Sequence, residues 1–281
     1  MILSAYLTIT RPINAIVAGL AGVLGFFIAT GTIIPSALAG FFMISLITAA
    51  GNVINDYFDV AIDAINRPER PIPAGKITAN AALWYAGILF LIGNLIGIYT
   101  NSLIPFCIAL VNSAILVLYA NKLKAMPLIG NIAVSYLSAS IFIFGGAFAG
   151  LPGVTANLAV SGATFFIMMT REILKDCEDV TGDAAAGAVT LPIQIGIPSC
   201  IIIACIFSLL GIATSFYLYF RWGIWYIMGI IPVDLLLLAG SIVIIHCRDP
   251  FCIKKKKSTT ILKAGMFASL VVFTISAYLL T

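Results

Sequence analysis

The sequence predicts an all-α membrane protein with nine transmembrane helices. Of its 281 residues, 62% are hydrophobic and only 9% are charged, which lies far outside the composition of soluble globular domains. The apolar residues fall into runs of roughly 17 to 25 residues that are separated by short polar breaks, the pattern of helices that cross a bilayer. No stretch has the composition of a soluble domain, so we expect residues 1–281 to form a single intramembrane domain.

The nine predicted spans follow one another closely along the chain. They cover residues 12–30, 36–58, 80–99, 103–119, 129–149, 155–176, 198–219, 226–246 and 260–280. The first span has no basic region before it and no small-residue cleavage site, so we expect it to be retained rather than removed as a signal peptide. The outer loops are short and uncharged, whereas the loops after the second and sixth spans are long and polar.

The lysines and arginines predict the orientation of these spans. All of the fifteen basic residues except Arg221 fall on one side: Arg11, Arg67, Arg70, Lys76, Lys122, Lys124, Arg171, Lys175, Arg248, Lys254, Lys255, Lys256, Lys257 and Lys263. Because short cytoplasmic loops carry an excess of Lys and Arg, that side and the N-terminus are predicted to be cytoplasmic, and Thr281 to be outside. The lysine run 254–257 is expected to contact anionic lipid headgroups rather than nucleic acid.

The six cysteines show no paired framework of the kind found in secreted proteins. They are Cys107, Cys177, Cys200, Cys205, Cys247 and Cys252, and most of them lie in or beside apolar spans. Free thiols are therefore expected. His246, Cys247 and Cys252 form at most a loosely spaced and weak metal signal.

A first cluster of carboxylates ends the second span. Asp56, Asp59 and Asp63 are spaced by three and four residues, so on a helix they share one face, with Asn55 close to it. Three adjacent carboxylates repel one another, and a cation is expected among them. Mg²⁺ suits the cluster because it takes oxygen ligands and keeps other positions for water and phosphate. A solvated helix end would explain the cluster in a soluble protein, but acidic groups at the end of a membrane span indicate function.

A second cluster ends the sixth span, which runs in the same direction. Glu172, Asp176, Asp179 and Asp183 again form one helical stripe. An ionised side chain at the bilayer centre costs roughly 2.5 to 3.5 kcal/mol, so the seven carboxylates of both stripes would cost on the order of 20 kcal/mol there. That exceeds the whole net stability of a typical fold, about 5 to 15 kcal/mol. Both stripes are therefore expected to border a polar cavity that opens to the cytoplasm and holds Mg²⁺ and a polyphosphate.

Basic and polar residues near the stripes can bind the phosphate groups. Arg67 and Arg70 follow the first stripe, where the prolines at 68, 71 and 73 are expected to end the helix. The segment between the fourth and fifth spans and the flanks of the second stripe supply the others, namely Tyr119, Lys122, Lys124, Arg171 and Lys175. The two lysines could be simple positive-inside anchors, but the nearby stripes favour a phosphate role. Asp234 follows Pro232 and is expected to cap a helix start.

Together these residues resemble the UbiA superfamily of intramembrane prenyltransferases. The matching motifs are Asn55-Asp56-x-x-Asp59-x-x-x-Asp63 with Arg67-Pro68-x-Arg70-Pro71, Tyr119-x-x-x-Leu123-Lys124, Asp176-x-x-Asp179-x-x-x-Asp183 with Gly187, and Arg11-Pro12-x-Asn14. The resemblance implies helices around a central cavity, with a Mg²⁺-bound isoprenyl diphosphate at its cytoplasmic end. In the second stripe the usual spacing of four is met by Asp179 and Asp183, while Asp176 precedes them by three, so the metal-binding pair stays open.

The expected site combines the residues and the resemblance. The metal ligands are Asn55, Asp56, Asp59, Asp63, Asp176, Asp179 and Asp183; the catalytic residues are Asp59, Asp176, Asp179 and Lys124; and the phosphate-binding residues are Arg11, Asn14, Arg67, Arg70, Tyr119, Lys122, Lys124, Arg171 and Lys175. These groups would neutralise the charge of a leaving pyrophosphate, and aromatic side chains can stabilise the allylic cation. His246 is the single histidine and is not placed as a base, so a carboxylate or the released pyrophosphate is expected to take the proton.

The acceptor is expected to be lipid-like. The loop-poor chain and the segment Asn55–Pro73 are most similar to archaeal enzymes that add a geranylgeranyl group to geranylgeranylglyceryl phosphate in ether-lipid synthesis. The basic residues exceed what one diphosphate needs and leave cations for an acceptor phosphate. An aromatic acceptor of the quinone or chlorophyll type stays open, because its carboxylate would also use a spare cation. An ion-coupled transporter is less favoured, since the charges lie at one membrane edge. Apart from membrane lipid, no nucleic-acid or obligate protein partner is expected.

Overall fold

The structure is a computed structural model that describes residues 2–33, 35–100, 102–185 and 187–280. Within these ranges every regular element is helical and no strand occurs, which confirms the predicted all-α class. The two chain ends, Met1 and Thr281, lie outside the described residues, and the sides on which the termini lie stay predictions.

The helices follow each other with short connections. They are α1 (Ile2–Ile9), α2 (Pro12–Thr30), α3 (Pro35–Phe58), α4 (Val60–Asn66), α5 (Ala79–Tyr99), α6 (Leu103–Asn121), α7 (Ile129–Ala147), α8 (Gly150–Ala156), α9 (Leu158–Ala185), α10 (Leu191–Ile195), α11 (Ile197–Tyr217), α12 (Tyr219–Ile242), α13 (Pro250–Lys256) and α14 (Ser258–Leu280), with a single 3₁₀ turn at Leu123–Ala125. The short helices α1, α4, α8, α10 and α13 were not predicted from the apolar runs.

The long helices have the length and composition of membrane spans. Eight helices in the described part of the chain are long and apolar enough to cross a bilayer, and the count rises to nine if α8 and α9 form one span. These two helices meet at an angle of 47° and together contain the predicted span 155–176. The multi-span membrane class is therefore confirmed, while the count of nine depends on this bent pair.

The first of two compact units contains Met1–Lys122 and Ile141–Ala156. Its centre is α3, which packs against α2, α5 and α6 and buries Ala50 and Val53 completely. Close helix contacts in this unit depend on glycine, since a side chain at Gly145 would overlap the backbone of Gly22. Small residues at such points let apolar helices pack tightly within a bilayer. This packing fixes the end of α3, where the first carboxylate stripe begins.

The second unit contains Leu123–Ser140 and Asn157–Thr281. Its centre is α9, which packs against α11 and also contacts α10, α13 and α14, while α12 packs against α14 and α11. Ile173 and Leu174 of α9 are fully buried. The second carboxylate stripe therefore lies on the helix that contacts α10, α11, α13 and α14. That the two units together form one domain over residues 1–281 stays a prediction.

Asp234 does not cap a helix start, so that prediction is wrong. It lies well inside α12, two residues after Pro232, and is 5% exposed. Its carboxyl accepts a hydrogen bond from the Ser215 hydroxyl (3.4 Å), and the Tyr226 hydroxyl lies 2.8 Å from that of Ser215. Because buried polar groups need partners, the Ser215 hydroxyl of α11, rather than free helix amides, satisfies this carboxyl.

The expectation of free thiols holds for four cysteines and is wrong for two. Cys107, Cys177, Cys200 and Cys205 are free, whereas Cys247 and Cys252 form a disulfide with their Cα atoms 5.6 Å apart. The turn before α13 brings them together: Asp249 accepts a hydrogen bond from the Cys252 backbone N–H (2.9 Å) and so caps that helix. The disulfide contains both sulfur atoms of the weak candidate metal site, so of its three predicted ligands only His246 stays outside the disulfide.

Candidate active site

The first carboxylate stripe spans a break between two helices. A single uninterrupted helix was predicted, but α3 ends at Phe58 and α4 begins at Val60, with Asp59 between them at φ −90° and ψ 4°. Asp59 N–H still donates to Asn55 O (3.0 Å), and Asp63 N–H donates to Asp59 O (2.8 Å). The break is thus confined to one residue in the bridge region of backbone space. The Asn55 side-chain amide donates to the Asp59 carboxylate (2.8 Å) and orients it.

Two arginines hold the other carboxylates of this stripe. Nη1 of Arg70 donates both to Oδ2 of Asp63 (2.5 Å) and to Oδ1 of Asp56 (3.2 Å). Arg11 also pairs with Oδ1 of Asp56. The side chains of Asp56 and Asp63 are only 5% and 7% exposed, so their charges are compensated by these guanidinium groups rather than by water.

Arg11 reaches this position from a left-handed backbone. It separates α1 from α2 with φ 49° and ψ 66°, a conformation that costs a residue with a side chain roughly 1 to 2 kcal/mol. The corner is held by the Asn52 amide, which donates to Thr10 O (2.9 Å), and by Pro12, which starts α2 with a pre-set φ. Strain of this kind is often found at functional sites, and here it turns a cation toward Asp56.

A cavity of about 520 Å³ lies beside these ion pairs, within the first unit. It is lined by Thr8, Arg11, Asn14, Asp56, Arg67, Glu69, Arg70 and Pro71. The structure thus brings together four of the predicted phosphate-binding residues. Three arginines against two carboxylates leave the lining cationic, which suits an anionic ligand. Thr8 and Glu69 were missed, because nothing in their sequence spacing links them to the stripe.

The second stripe lies on one continuous helix, as its spacing predicts. Glu172, Asp176, Asp179 and Asp183 are all within α9. The Asp176 carboxylate accepts a hydrogen bond from the side-chain amide of Asn131 on α7 (2.8 Å). This amide does for Asp176 what Asn55 does for Asp59: it fixes the orientation of a carboxylate. Asn131 was not among the predicted site residues, although it follows the lysine segment closely.

The other side chains around this stripe have partners that sequence spacing does not show. Arg171 pairs with its neighbour Glu172, and Asp179 lies 3.8 Å from Nζ of Lys254 on α13. Glu178 accepts hydrogen bonds from the Thr259 hydroxyl of α14 (2.9 and 3.1 Å). The contacts of Asp179 with Lys254 and of Glu178 with Thr259 join positions that are far apart in the chain, so no local pattern predicts them.

Three of the remaining predicted residues lie at the end of α6 and in the turn after it, and the fourth, Lys175, lies within α9. Tyr119 is in the last turn of α6, Lys122 follows its end and is exposed, and Lys124 lies in the 3₁₀ turn. Lys175 is exposed on α9. Whether these four residues contact substrate stays a prediction.

The chemistry of both stripes fits Mg²⁺. Each offers carboxylate oxygens, which are the ligands this hard cation prefers, and each has a carboxylate oriented by an asparagine amide. Among the described residues, however, no three side chains of the His, Cys, Asp and Glu types converge as a ready metal cluster. In the first stripe the reason is visible, because Arg70 lies between Asp56 and Asp63.

Comparison with known proteins decides the family. A family model described as the UbiA prenyltransferase family matches residues 15–271. The chain belongs to the UbiA prenyltransferase family. The resemblance predicted from the aspartate motifs is therefore confirmed, and with it the class of enzyme.

Relatives within the UbiA family match over nearly the whole chain. The digeranylgeranylglyceryl phosphate synthase of Methanoregula boonei is 51% identical over 98% of both chains, and that of Methanospirillum hungatei is 52% identical over 99% of both. A solved structure concerned with digeranylgeranylglyceryl phosphate synthase in membranes has a TM-score of 0.85 at 33% identity and covers 99% of both chains. A UbiA homologue from Archaeoglobus fulgidus, bound to GPP and Mg²⁺, shares the fold at 18% identity with a TM-score of 0.71, and the match covers 98% of this chain and 99% of that one.

Proposed function

We propose that this protein transfers a geranylgeranyl group from geranylgeranyl diphosphate to geranylgeranylglyceryl phosphate in archaeal membrane ether-lipid biosynthesis. The observation that carries this proposal is the identity of 51% and 52%, over almost the full length, with relatives named for the product of that reaction. The cationic cavity supports it independently, because both substrates have a phosphate head and a long apolar tail.

The cavity arginines suit a phosphate head. A guanidinium group can donate two parallel hydrogen bonds to a phosphate, and such charge-assisted bonds are roughly twice as strong as neutral ones. Arg11, Arg67 and Arg70 all line the cavity, together with the polar Asn14. We assign these four residues to phosphate binding, and Tyr119, Lys122, Lys124, Arg171 and Lys175 to supporting positions that supply further charge or hydrogen bonds.

The proposal includes Mg²⁺ as the cofactor, in agreement with its presence in the A. fulgidus homologue. The residues that would hold it are Asn55, Asp56, Asp59 and Asp63 of the first stripe and Asp176, Asp179 and Asp183 of the second. When bound, Mg²⁺ would neutralise charge on the diphosphate oxygens. The asparagines at positions 55 and 131 would keep Asp59 and Asp176 oriented.

The residues of this chain stabilise the departure of pyrophosphate. The bond between the allylic carbon and the diphosphate oxygen breaks, and arginine and lysine donors balance the charge that grows on the leaving group. The acceptor hydroxyl then forms the new bond to carbon. Its proton passes to a carboxylate or to the released pyrophosphate, and we assign no role to His246, the single histidine.

Turnover distinguishes this enzyme from an ion-coupled carrier. Purified protein in detergent, given Mg²⁺, geranylgeranyl diphosphate and geranylgeranylglyceryl phosphate, is expected to release pyrophosphate and form digeranylgeranylglyceryl phosphate in equal amounts. Omitting Mg²⁺ is the control and should stop both. Substrate flux across liposomes without any pyrophosphate release would contradict the proposal and support the carrier.

We also propose that the active site faces the cytoplasm, with the N-terminus on the same side and the C-terminus outside. The support is the one-sided distribution of basic residues along the sequence. An Ala79→Cys variant without the native cysteines should resist an impermeant thiol reagent in intact cells and react after the cells are opened. Labelling of intact cells would overturn the orientation.

A further inference from the structure

We propose that Arg70 is an internal competitor of the metal ion: its guanidinium group and a divalent cation exclude each other from Asp56 and Asp63. The inference rests on the proposed function in that it takes the first stripe as a metal site. It adds a role for Arg70 that phosphate binding alone does not include.

The position of one nitrogen atom carries the inference. The same Nη1 atom of Arg70 contacts Oδ2 of Asp63 at 2.5 Å and Oδ1 of Asp56 at 3.2 Å. It therefore lies between two carboxylate oxygens of different residues, where a bridging cation would lie. Mg²⁺ binds carboxylate oxygens at about 2.0 to 2.1 Å, so an ion that used both of these oxygens would overlap the position that Nη1 occupies. Their like charges would also repel at such a separation.

The cavity next to the carboxylates can accommodate the Arg70 side chain when it leaves them. Its side chain is 15% exposed and lines the same cavity as Arg11 and Arg67. Its backbone is held in a turn, where Arg70 N–H donates to Arg67 O (3.0 Å) and Ala74 N–H donates to Arg70 O (2.9 Å). Rotation of the side chain is therefore sufficient, and the freed guanidinium would face a phosphate bound in the cavity.

The arrangement couples the two ligands. A cation that takes Asp56 and Asp63 releases Arg70 for the phosphate, and a phosphate that captures Arg70 frees Asp63 and leaves Asp56 with Arg11 as its single remaining ion-pair partner among the described residues. Each ligand thus increases the affinity for the other by the same factor, as linkage requires. With only one of the two ligands present, part of the binding site stays occupied by the ion pairs of Arg70. The cation and the phosphate together are therefore bound more tightly than either one alone.

Arg67 provides the matched control. It lines the same cavity and carries the same charge, but within the described ranges no ion pair joins it to Asp56 or Asp63. Arg67→Gln removes a nearby charge without freeing a carboxylate, whereas Arg70→Gln does both. The difference between the two variants therefore isolates the competition from the general electrostatic effect.

The test measures Mn²⁺ binding, by electron paramagnetic resonance of the free ion, to purified protein without substrate. Arg70→Gln is expected to bind Mn²⁺ at least about fivefold more tightly than the natural protein, the lower end of usual coupling strengths. Arg67→Gln should give less than half of that gain. Equal gains in both variants, or weaker binding in Arg70→Gln, would overturn the inference.

A second variant covers the case in which Arg70→Gln does not fold. Arg70→Lys keeps the charge but has a shorter reach and no planar fork, so it should hold the carboxylates less well and also tighten Mn²⁺ binding. Binding no tighter than in the natural protein would count against the competition. Monodisperse elution in detergent identifies the variants that are folded.

The outcome is separable from that of the proposed function, because Mn²⁺ binding is measured without prenyl substrate. If the natural protein makes the expected lipid but Arg70→Gln does not tighten Mn²⁺ binding, the competition alone is wrong. If Mn²⁺ binding tightens but no lipid forms, the competition stands and the prenyl transfer is wrong.

Discussion

Asp59→Ala and Asp176→Ala are each expected to lower the rate of product formation by at least about 100-fold, equivalent to about 2.7 kcal/mol in the activation barrier. Each change removes a carboxylate that an asparagine amide holds in place, Asn55 in the first stripe and Asn131 in the second. Losing a proposed metal ligand and its charge is expected to leave the diphosphate without part of the stabilisation that its departure requires. The initial rate in detergent, at saturating substrates and Mg²⁺, measures this loss.

The control for these variants is Asp249→Asn. Asp249 caps α13 through the Cys252 backbone N–H and lies outside both stripes, and asparagine is an equally good cap. This change removes one carboxylate from the chain and should leave turnover close to that of the natural protein. All three variants should elute as folded protein. If both alanine variants kept more than a few per cent of the Mg²⁺-dependent activity, the two-stripe account would be wrong.

The class of fold could be predicted because a bilayer leaves a chain few options. Backbone groups in hydrocarbon must be satisfied within a helix or a closed barrel, so long apolar runs indicate helices with little ambiguity. The same regularity explains the second stripe: α9 is continuous, and residues spaced by three and four stay on one face. Helices without an apolar run of spanning length, such as α1 and α13, leave no comparable signal.

The partners of the site residues could not be predicted, because they depend on how distant segments meet. Arg70 could be recognised as a cation near the first stripe, but its bridge between Asp56 and Asp63 depends on the turn after α4. The break at Asp59 and the left-handed backbone of Arg11 are local backbone features that hydrophobic periodicity does not report.

Two predictions about particular side chains were wrong, namely the cap at Asp234 and the free thiols of Cys247 and Cys252. A carboxylate near a helix start can cap free amides, yet Asp234 lies within α12 and is satisfied by Ser215 of the preceding helix. The spacing of Cys247 and Cys252 gave no disulfide signal, because the pairing follows from the turn that Asp249 caps. In both cases a local pattern was overruled by a contact that forms only in the folded chain.

When a lipid acceptor and an aromatic acceptor compete, we expect prenylation of the lipid alone. Geranylgeranylglyceryl phosphate offers a phosphate group, which we propose binds the three cavity arginines, and an apolar chain that suits a bilayer. An aromatic acid such as 4-hydroxybenzoate offers a single carboxylate and no such chain. Without phosphate contacts, the binding of 4-hydroxybenzoate should lack several charge-assisted hydrogen bonds, each of which contributes roughly 1.5 to 3 kcal/mol.

The most direct test is a competition between these acceptors. Purified protein receives Mg²⁺, labelled geranylgeranyl diphosphate and equal concentrations of geranylgeranylglyceryl phosphate and 4-hydroxybenzoate, and the labelled products are separated by chromatography. We expect the label in digeranylgeranylglyceryl phosphate, with no prenylated aromatic product. Prenylation of 4-hydroxybenzoate alone would contradict the account.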